Sequence, residues 1–247
     1  GLLHDLLTRG IDANGELRPP QSQAPHLYKD SLLGWIPNEW AIELLGSAAE
    51  ISGGVTIGRS VSGLGVVELP YLRVANVQDG YLDLAEIKAI RILASEIPRF
   101  GLERGDVLMN EGGDFDKLGR GAIWSGQIDV CLHQNHVFRV RCKQSVLNPQ
   151  YLTAYSGSAF GRSFFVKASK QTTNLASINS TQLKGFPLRL PPVMEQNEIN
   201  TRLAALDSKV GAEGLFCKKL RDKKAGLMDD LLTGRVRVTA LLDSVDA

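Results

Sequence analysis

No apolar run in this 247-residue chain approaches the roughly 20 residues that a membrane-spanning helix needs. The first residues also lack the basic, apolar and small-residue zones of a secretory signal, so a cytoplasmic protein is expected. Cysteine is scarce. Cys131, Cys142 and Cys217 are the only three, and their spacing matches no disulfide framework, which suits free thiols in a reducing compartment. Net charge is nearly absent, with 28 Lys and Arg against 27 Asp and Glu. That balance removes any global pull toward nucleic acid, so a basic surface must be local. A Walker-type phosphate loop is missing too, which places any ATP-driven step outside this chain.

What is present begins with a repeated phrase. GLLHDLLT at 1–8 returns as GLMDDLLT at 226–233, identical at six of the eight positions. A self-match 225 residues apart is too distant for a solenoid and fits a duplicated module. The chain also starts on Gly1, inside an amphipathic phrase, as the second half of a larger two-unit protein would. With 43% hydrophobic residues it can build one substantial core plus an extension.

Three segments follow. Residues 1–30 read as the end of a preceding helix and a linker, with Asp12, Asn14, Gly15, Pro19, Pro20 and Pro25 close together. Residues 31–190 read as one α+β domain. Short apolar runs at 69–77, 105–109, 122–124 and 130–140 are bounded by Gly-rich turns, and Leu132, Val137 and Val140 are expected to be buried. Asn148 and Pro149 form the N-cap and first turn of a helix expected to carry Tyr151, Leu152, Tyr155 and Phe160. Phe186, Leu188 and Leu190 alternate, and Pro187 confines that strand to an edge or a strand start.

After Pro191 and Pro192 the period changes. Ile199, Leu203, Leu206, Val210, Glu213, Cys217, Leu220, Lys224, Leu227 and Leu231 follow in steps of four and three, a heptad seam with polar breaks at Glu213 and Lys224. A continuous helix over 195–232 would be about 57 Å long. Gly211, Gly214 and Gly226 weaken it locally. So narrow a stripe calls for a partner helix, and the helix-pairing residues are expected to be Ile199, Leu203, Leu206, Val210, Leu220, Leu227 and Leu231. Folding back on its own domain is the alternative. The spacer or dimerisation helix would occupy 191–238, with a tail at 239–247.

The order of four phrases carries a family resemblance over nearly the whole chain: LPYLRVANV at 69–77, LERGDVLM at 102–109, LHQNHVFRV at 132–140 and LRLPPVMEQ at 188–196. It resembles the C-terminal half of a type I restriction–modification specificity subunit, namely a target-recognition domain with its distal conserved helix. The resemblance implies a non-catalytic subunit that binds double-stranded DNA. It implies methyltransferase (modification) subunits and a restriction/translocase subunit as partners. S-adenosylmethionine, ATP and Mg would belong to those partners, with no cofactor in this chain. It leaves open a homodimer through the C-terminal helix. The rival readings are the recognition end of a fused methyltransferase–endonuclease and a coiled-coil protein-interaction adaptor.

Base readout in the major groove needs Arg or Lys for guanine and Asn or Gln for adenine. Four stretches offer such groups. GGVTIGRS at 53–60 supplies Thr56 and Arg59, although a Gly-rich loop reads equally as a plain turn. Arg73 and Asn76 stand at the end of an expected strand. NEGGDFDKLGR at 110–120 supplies Lys117 and Arg120, while Glu111, Asp114 and Asp116 would repel phosphate yet can accept from cytosine N4. The densest donor cluster is at 167–174, with Lys167, Lys170, Gln171, Thr172, Thr173 and Asn174 suited to phosphate positioning and some base contact. The helix lysines Lys209, Lys218, Lys219, Lys223 and Lys224 read as a solvated or protein-docking face.

Other signals fall short of chemistry. Asn148, Pro149, Gln150 and Tyr151 approach the Asn-Pro-Pro-Tyr motif of amino-methyltransferases, but Gln150 breaks it and an N-cap explains the pair better. Asp79, Asp83, Glu86 and Lys88 only faintly suggest a nuclease metal site. Cys131, His133, His136 and Cys142 have atypical zinc spacing. No catalytic or metal-ligating residue is therefore assigned.

Overall fold

The computed structural model describes residues 1–113, 118–119, 121–171 and 176–236. Two units emerge, residues 1–200 and 201–247.

The first unit begins with helix α1 (Leu2–Thr8), which buries Leu6 and Leu7. The expected linker is part of this unit rather than a bare tether. Ile11, Arg18, Ala24 and Tyr28 are buried, and Tyr28 Oη donates to Pro19 O at 2.7 Å. The cause is long-range. Glu195 accepts from Ile11 N (2.8 Å), from Arg18 Nη1 (2.5 Å) and Nη2 (3.1 Å), and from Trp40 Nε1 (3.1 Å). Gly10 closes this latch at φ +63°, where a Cβ would lie 2.1 Å from Glu195 Oε1 and 2.4 Å from the Trp40 ring.

The strands form several small sheets instead of one large one. β1 (Tyr28–Lys29) pairs with β2 (Ile36–Pro37). β3 (Ala41–Leu44) pairs with β14 (Pro187–Leu190), the edge strand that Pro187 requires. Helix α2 (Leu45–Ala48) leads into β4 (Ala49–Ser52). The four-stranded sheet runs β4, β11 (Val137–Cys142), β7 (Val107–Asn110), β9 (Gly121–Ile123), all antiparallel. A second sheet has β5 (Val66–Leu72) between β6 (Lys88–Leu93) and β10 (Leu132–His133), with β10 parallel to β5. A short helix, α3 (Ile97–Phe100), follows β6.

The run expected at 130–140 is thus two strands in two sheets, broken by a turn in which Val137 N donates to Gln134 O. The run at 69–77 likewise ends early. After Leu72 the chain enters a 3-10 turn at Val74–Asn76. Leu132, Val137 and Val140 are buried as expected.

Asn148 caps α4 (Pro149–Ser156), its side chain accepting from Gln150 N at 2.8 Å. Phe160 lies on a separate helix, α5 (Ala159–Ala168), because Gly157 ends α4 and Ser158 caps the next helix. These helices bring Tyr155, Phe164 and Phe165 around Phe186, with ring centroids 4.7–5.6 Å apart, distances at which tilted aromatic pairs attract. After β12 (Lys170–Gln171) and β13 (Ala176–Ser177) comes α6 (Ser180–Lys184), capped reciprocally by Asn179 and Gln182.

Helix α7 spans Val193–Leu232. Its first turns belong to the first unit, where Ile199 and Gln196 are fully buried. Gln196 accepts from Asn148 N and donates to Val146 O and Pro191 O, joining the α4 cap to the helix start. In the second unit Leu203 and Leu206 are half-buried, while Val210, Phe216, Leu220, Leu227 and Leu231 are exposed.

The repeated phrase takes the same form twice. Thr8 Oγ1 donates to His4 O, and Thr233 Oγ1 donates to Asp229 O, each four residues back. A left-handed glycine follows each copy, Gly10 two residues after Thr8 and Gly234 directly after Thr233. Burial separates them. Leu6 and Leu7 are covered, whereas their counterparts Leu231 and Leu232 are exposed at 48% and 81%. No helix among the described residues is long and apolar enough to cross a membrane.

Candidate nucleic-acid interface

Two of the four donor-bearing stretches are neighbours. β8 (Gly112–Gly113) pairs with β13, which pairs on its other edge with β12, so the segment entering residues 114–120 lies in one sheet with Lys170 and Gln171. Glycine permits this, since a Cβ at Gly112 would stand 3.0 Å from Ala176 O. A second tie comes from Gly119 at φ +70°, where a Cβ would reach within 1.9 Å of the Phe165 ring on α5. Leu118 beside it is buried. Lys167 is exposed on the last turn of α5, and Lys170 is exposed on β12. Lys117, Arg120, Thr172, Thr173 and Asn174 lie outside the described residues, as does the side chain of Gln171.

A cleft of about 370 Å³ opens beside this sheet, lined by Val74, Glu111, Gly112, His136 and Ser177. Glu111 is fixed by its backbone. Its N–H donates to His136 O (3.0 Å), and its carbonyl accepts from Ile178 N (2.8 Å). Its carboxylate Oε2 meets His136 Nδ1 at 2.5 Å. Behind the wall, Asn110 Nδ2 donates to Val77 O and Val74 O, tying the 3-10 turn to β7.

The remaining candidates are placed elsewhere or already engaged. The 53–60 stretch is laced to the turn that carries His136. Val55 N donates to His133 O, Asn135 N donates to Val55 O, and a Cβ at Gly54 would lie 1.8 Å from His133 O. Thr56 is exposed there. Arg59 pairs through both terminal nitrogens with Glu96, a bond that raises the guanidinium's pKa and lowers the carboxylate's. Arg73 pairs with Glu86 at 3.2 Å. Asn76 departs furthest from the expected groove contact. It is 3% exposed, its Oδ1 accepts from Arg73 N, and its Nδ2 donates to Asp83 O and Glu86 O. It braces the loop after β5 from within. His136 meets Glu111, 25 residues away, only through the β7–β11 register, a pairing without a local sequence signal.

The apparent chemistry of other polar residues resolves into structure. Burial pushes the thiols of Cys131 and Cys142 up to about 12, so neither is a thiolate at neutral pH. His133 is fully buried with Nδ1 donating to Val137 O, and burial lowers its pKa to about 4. Asp79 pairs with Arg162, and Asp83 accepts from Ala85 N.

No protein-family model matches the chain. Curated relatives do. The putative type I restriction enzyme MjaX specificity subunit of Methanocaldococcus jannaschii is 27% identical over 208 residues, 83% of this chain and 48% of that protein. The EcoKI specificity subunit of Escherichia coli K12 is 28% identical over 159 residues, 64% of this chain and 33% of that protein. The chain is a relative of the type I restriction specificity subunits. It spans about half the length, or less, of these curated relatives. The fold agrees. The HsdS subunit of Thermoanaerobacter tengcongensis superposes with a TM-score of 0.55 at 18% identity, covering 85% of this chain and 48% of that one. A chain from a structure of type I R-M complex assembly and conformational transition gives 0.57 at 19% identity, covering 86% and 49%.

Proposed function

We propose that the chain is the sequence-specific DNA-recognition element of a type I restriction–modification complex, corresponding to the C-terminal half of a specificity subunit. One observation carries this reading. In a chain similar to the specificity subunits, the β8–β13–β12 sheet joins the segments that border the two most polar stretches, beside an open cleft lined by Val74, Glu111, Gly112, His136 and Ser177. Exposed Lys167 and Lys170 suit phosphate contacts, which set register and orientation, while groups at the cleft and loop tips read base edges. The chain itself performs no chemistry in this reading. Partner methyltransferase subunits supply adenine methylation from S-adenosylmethionine, and a restriction/translocase subunit supplies ATP- and Mg-dependent cleavage, all in the cytoplasm.

The distal helix is the assembly element. The leucines buried at 1–8 are bare at 226–233, and Val210, Leu220, Leu227 and Leu231 expose the heptad seam. A second copy of this chain, presenting the same seam, is the proposed cover.

The test selects duplexes from a random-sequence library with the chain assembled with its methyltransferase subunits, at several salt concentrations. A reproducible motif with a salt-dependent affinity supports recognition by this chain. Enrichment of no motif contradicts it.

A further inference from the structure

Glu111 and His136 are the paired polar side chains of the cleft, and their chemistry suits one class of ligand. A carboxylate repels the phosphate backbone, so this cleft does not take phosphate. It accepts hydrogen bonds, and in the major groove the bases that donate are cytosine through N4 and adenine through N6. Guanine and thymine offer acceptors at the corresponding positions, which a carboxylate rejects. Resting on the DNA-recognition reading above, we propose that Glu111 is a specificity-determining residue that selects an amino base, cytosine or adenine, at one position of the target, with His136 as its positioning residue.

The geometry holds both groups rigidly. Glu111 is fixed at both backbone groups, to His136 O on one side and to Ile178 N on the other. His136 sits at the tip of the tight turn closed by Val137 N to Gln134 O, and its ring is 57% exposed against 31% for Glu111. The imidazole Nδ1–H donates to Oε2, which fixes the carboxylate plane and leaves Oε1 to accept from the base. Asn110, next to Glu111 in the chain, holds the backbone of Val74, which also lines the cleft, through its bonds to Val74 O and Val77 O. A residue preorganised in this way discriminates more strongly than one on a mobile side chain, because no ordering cost is incurred on binding.

The experiment repeats duplex selection with the assembled complex, comparing the wild-type chain with Glu111→Gln, Glu111→Leu and His136→Ala. Glu111→Gln keeps the volume but adds a donor, so a keto base becomes acceptable while adenine is still accepted, and Glu111→Leu removes the acceptor altogether. The expected result is a wild-type motif with an amino base at one position, a broadened or adenine-biased preference there for Glu111→Gln, and a loss of about tenfold or more in that preference for Glu111→Leu. The other positions and the salt slope are unchanged. His136→Ala weakens preference at the same position, and His136→Gln restores part of it. An unchanged motif in Glu111→Leu overturns the proposal, and so does a uniform loss of affinity across all sequences, which marks a merely structural role. Should Glu111→Leu fail to fold, Glu111→Ala carries the test, and retention of the wild-type motif in it overturns the proposal. A wild-type complex that selects no motif defeats the recognition reading itself.

Discussion

Glu195 gathers four donors at the start of α7, and two of them come from Arg18, whose side chain is only 9% exposed. Removing the carboxylate leaves a buried guanidinium without its counter-ion and the Trp40 indole without its acceptor. Glu195→Ala is expected to cost about 3–5 kcal/mol, read as a fall in the urea midpoint at constant slope. A loss under about 1 kcal/mol would show the latch to be incidental. His133 sets a pH dependence. Its folded pKa, about 4, lies below its ordinary 6.5, so the unfolded chain takes up a proton first as pH falls. Stability is fully present above about 6.5 and lost progressively down to about 4, roughly 3 kcal/mol in all. Urea titrations across that window should show the slope in the wild type, and His133→Gln should reduce it. An identical slope in that variant would assign the dependence to other groups.

Elements written in local chemistry were legible in the sequence. The α4 cap needed only Asn148 and Pro149, and α7 needed only its heptad period, which fell within two residues of the observed start. What escaped was decided at long range. Residues 11–30 resemble a linker until Glu195 recruits Ile11 and Arg18 across the fold. Asn76 looks like a reader until the loop at 83–86 folds back onto its amide. The union of the two polar loops depends on β8 and β13, two-residue strands that leave almost no periodic signal. The seam of α7 was legible, yet its first residue, Ile199, is consumed by the globular unit, and the exposed part of the seam is the stretch beyond it. Replacing Leu220 and Leu227 by Lys should leave the urea midpoint of the globular unit unchanged and reduce the chain to a monomer by sedimentation. Retention of a dimer in that double variant would place the pairing surface elsewhere.

At the scale of the whole molecule, near-zero net charge makes the interface a local matter. Without a net positive charge, affinity for random duplex is expected to be modest, with a salt slope set by the few local phosphate contacts. Replacing Lys167 and Lys170 by Ala should lower the salt slope by about 1 to 2 and weaken all sequences alike, since phosphate contacts carry no base information. A changed motif in that variant would make these lysines readers. Recognition in the complex is tested most directly by mapping methylated sites across the genome of a cell holding the partner methyltransferase subunits, with and without this chain. If the chain supplies specificity, one sequence class gains methylation when it is present and loses it when it is absent. A methylation pattern that does not change would contradict the account.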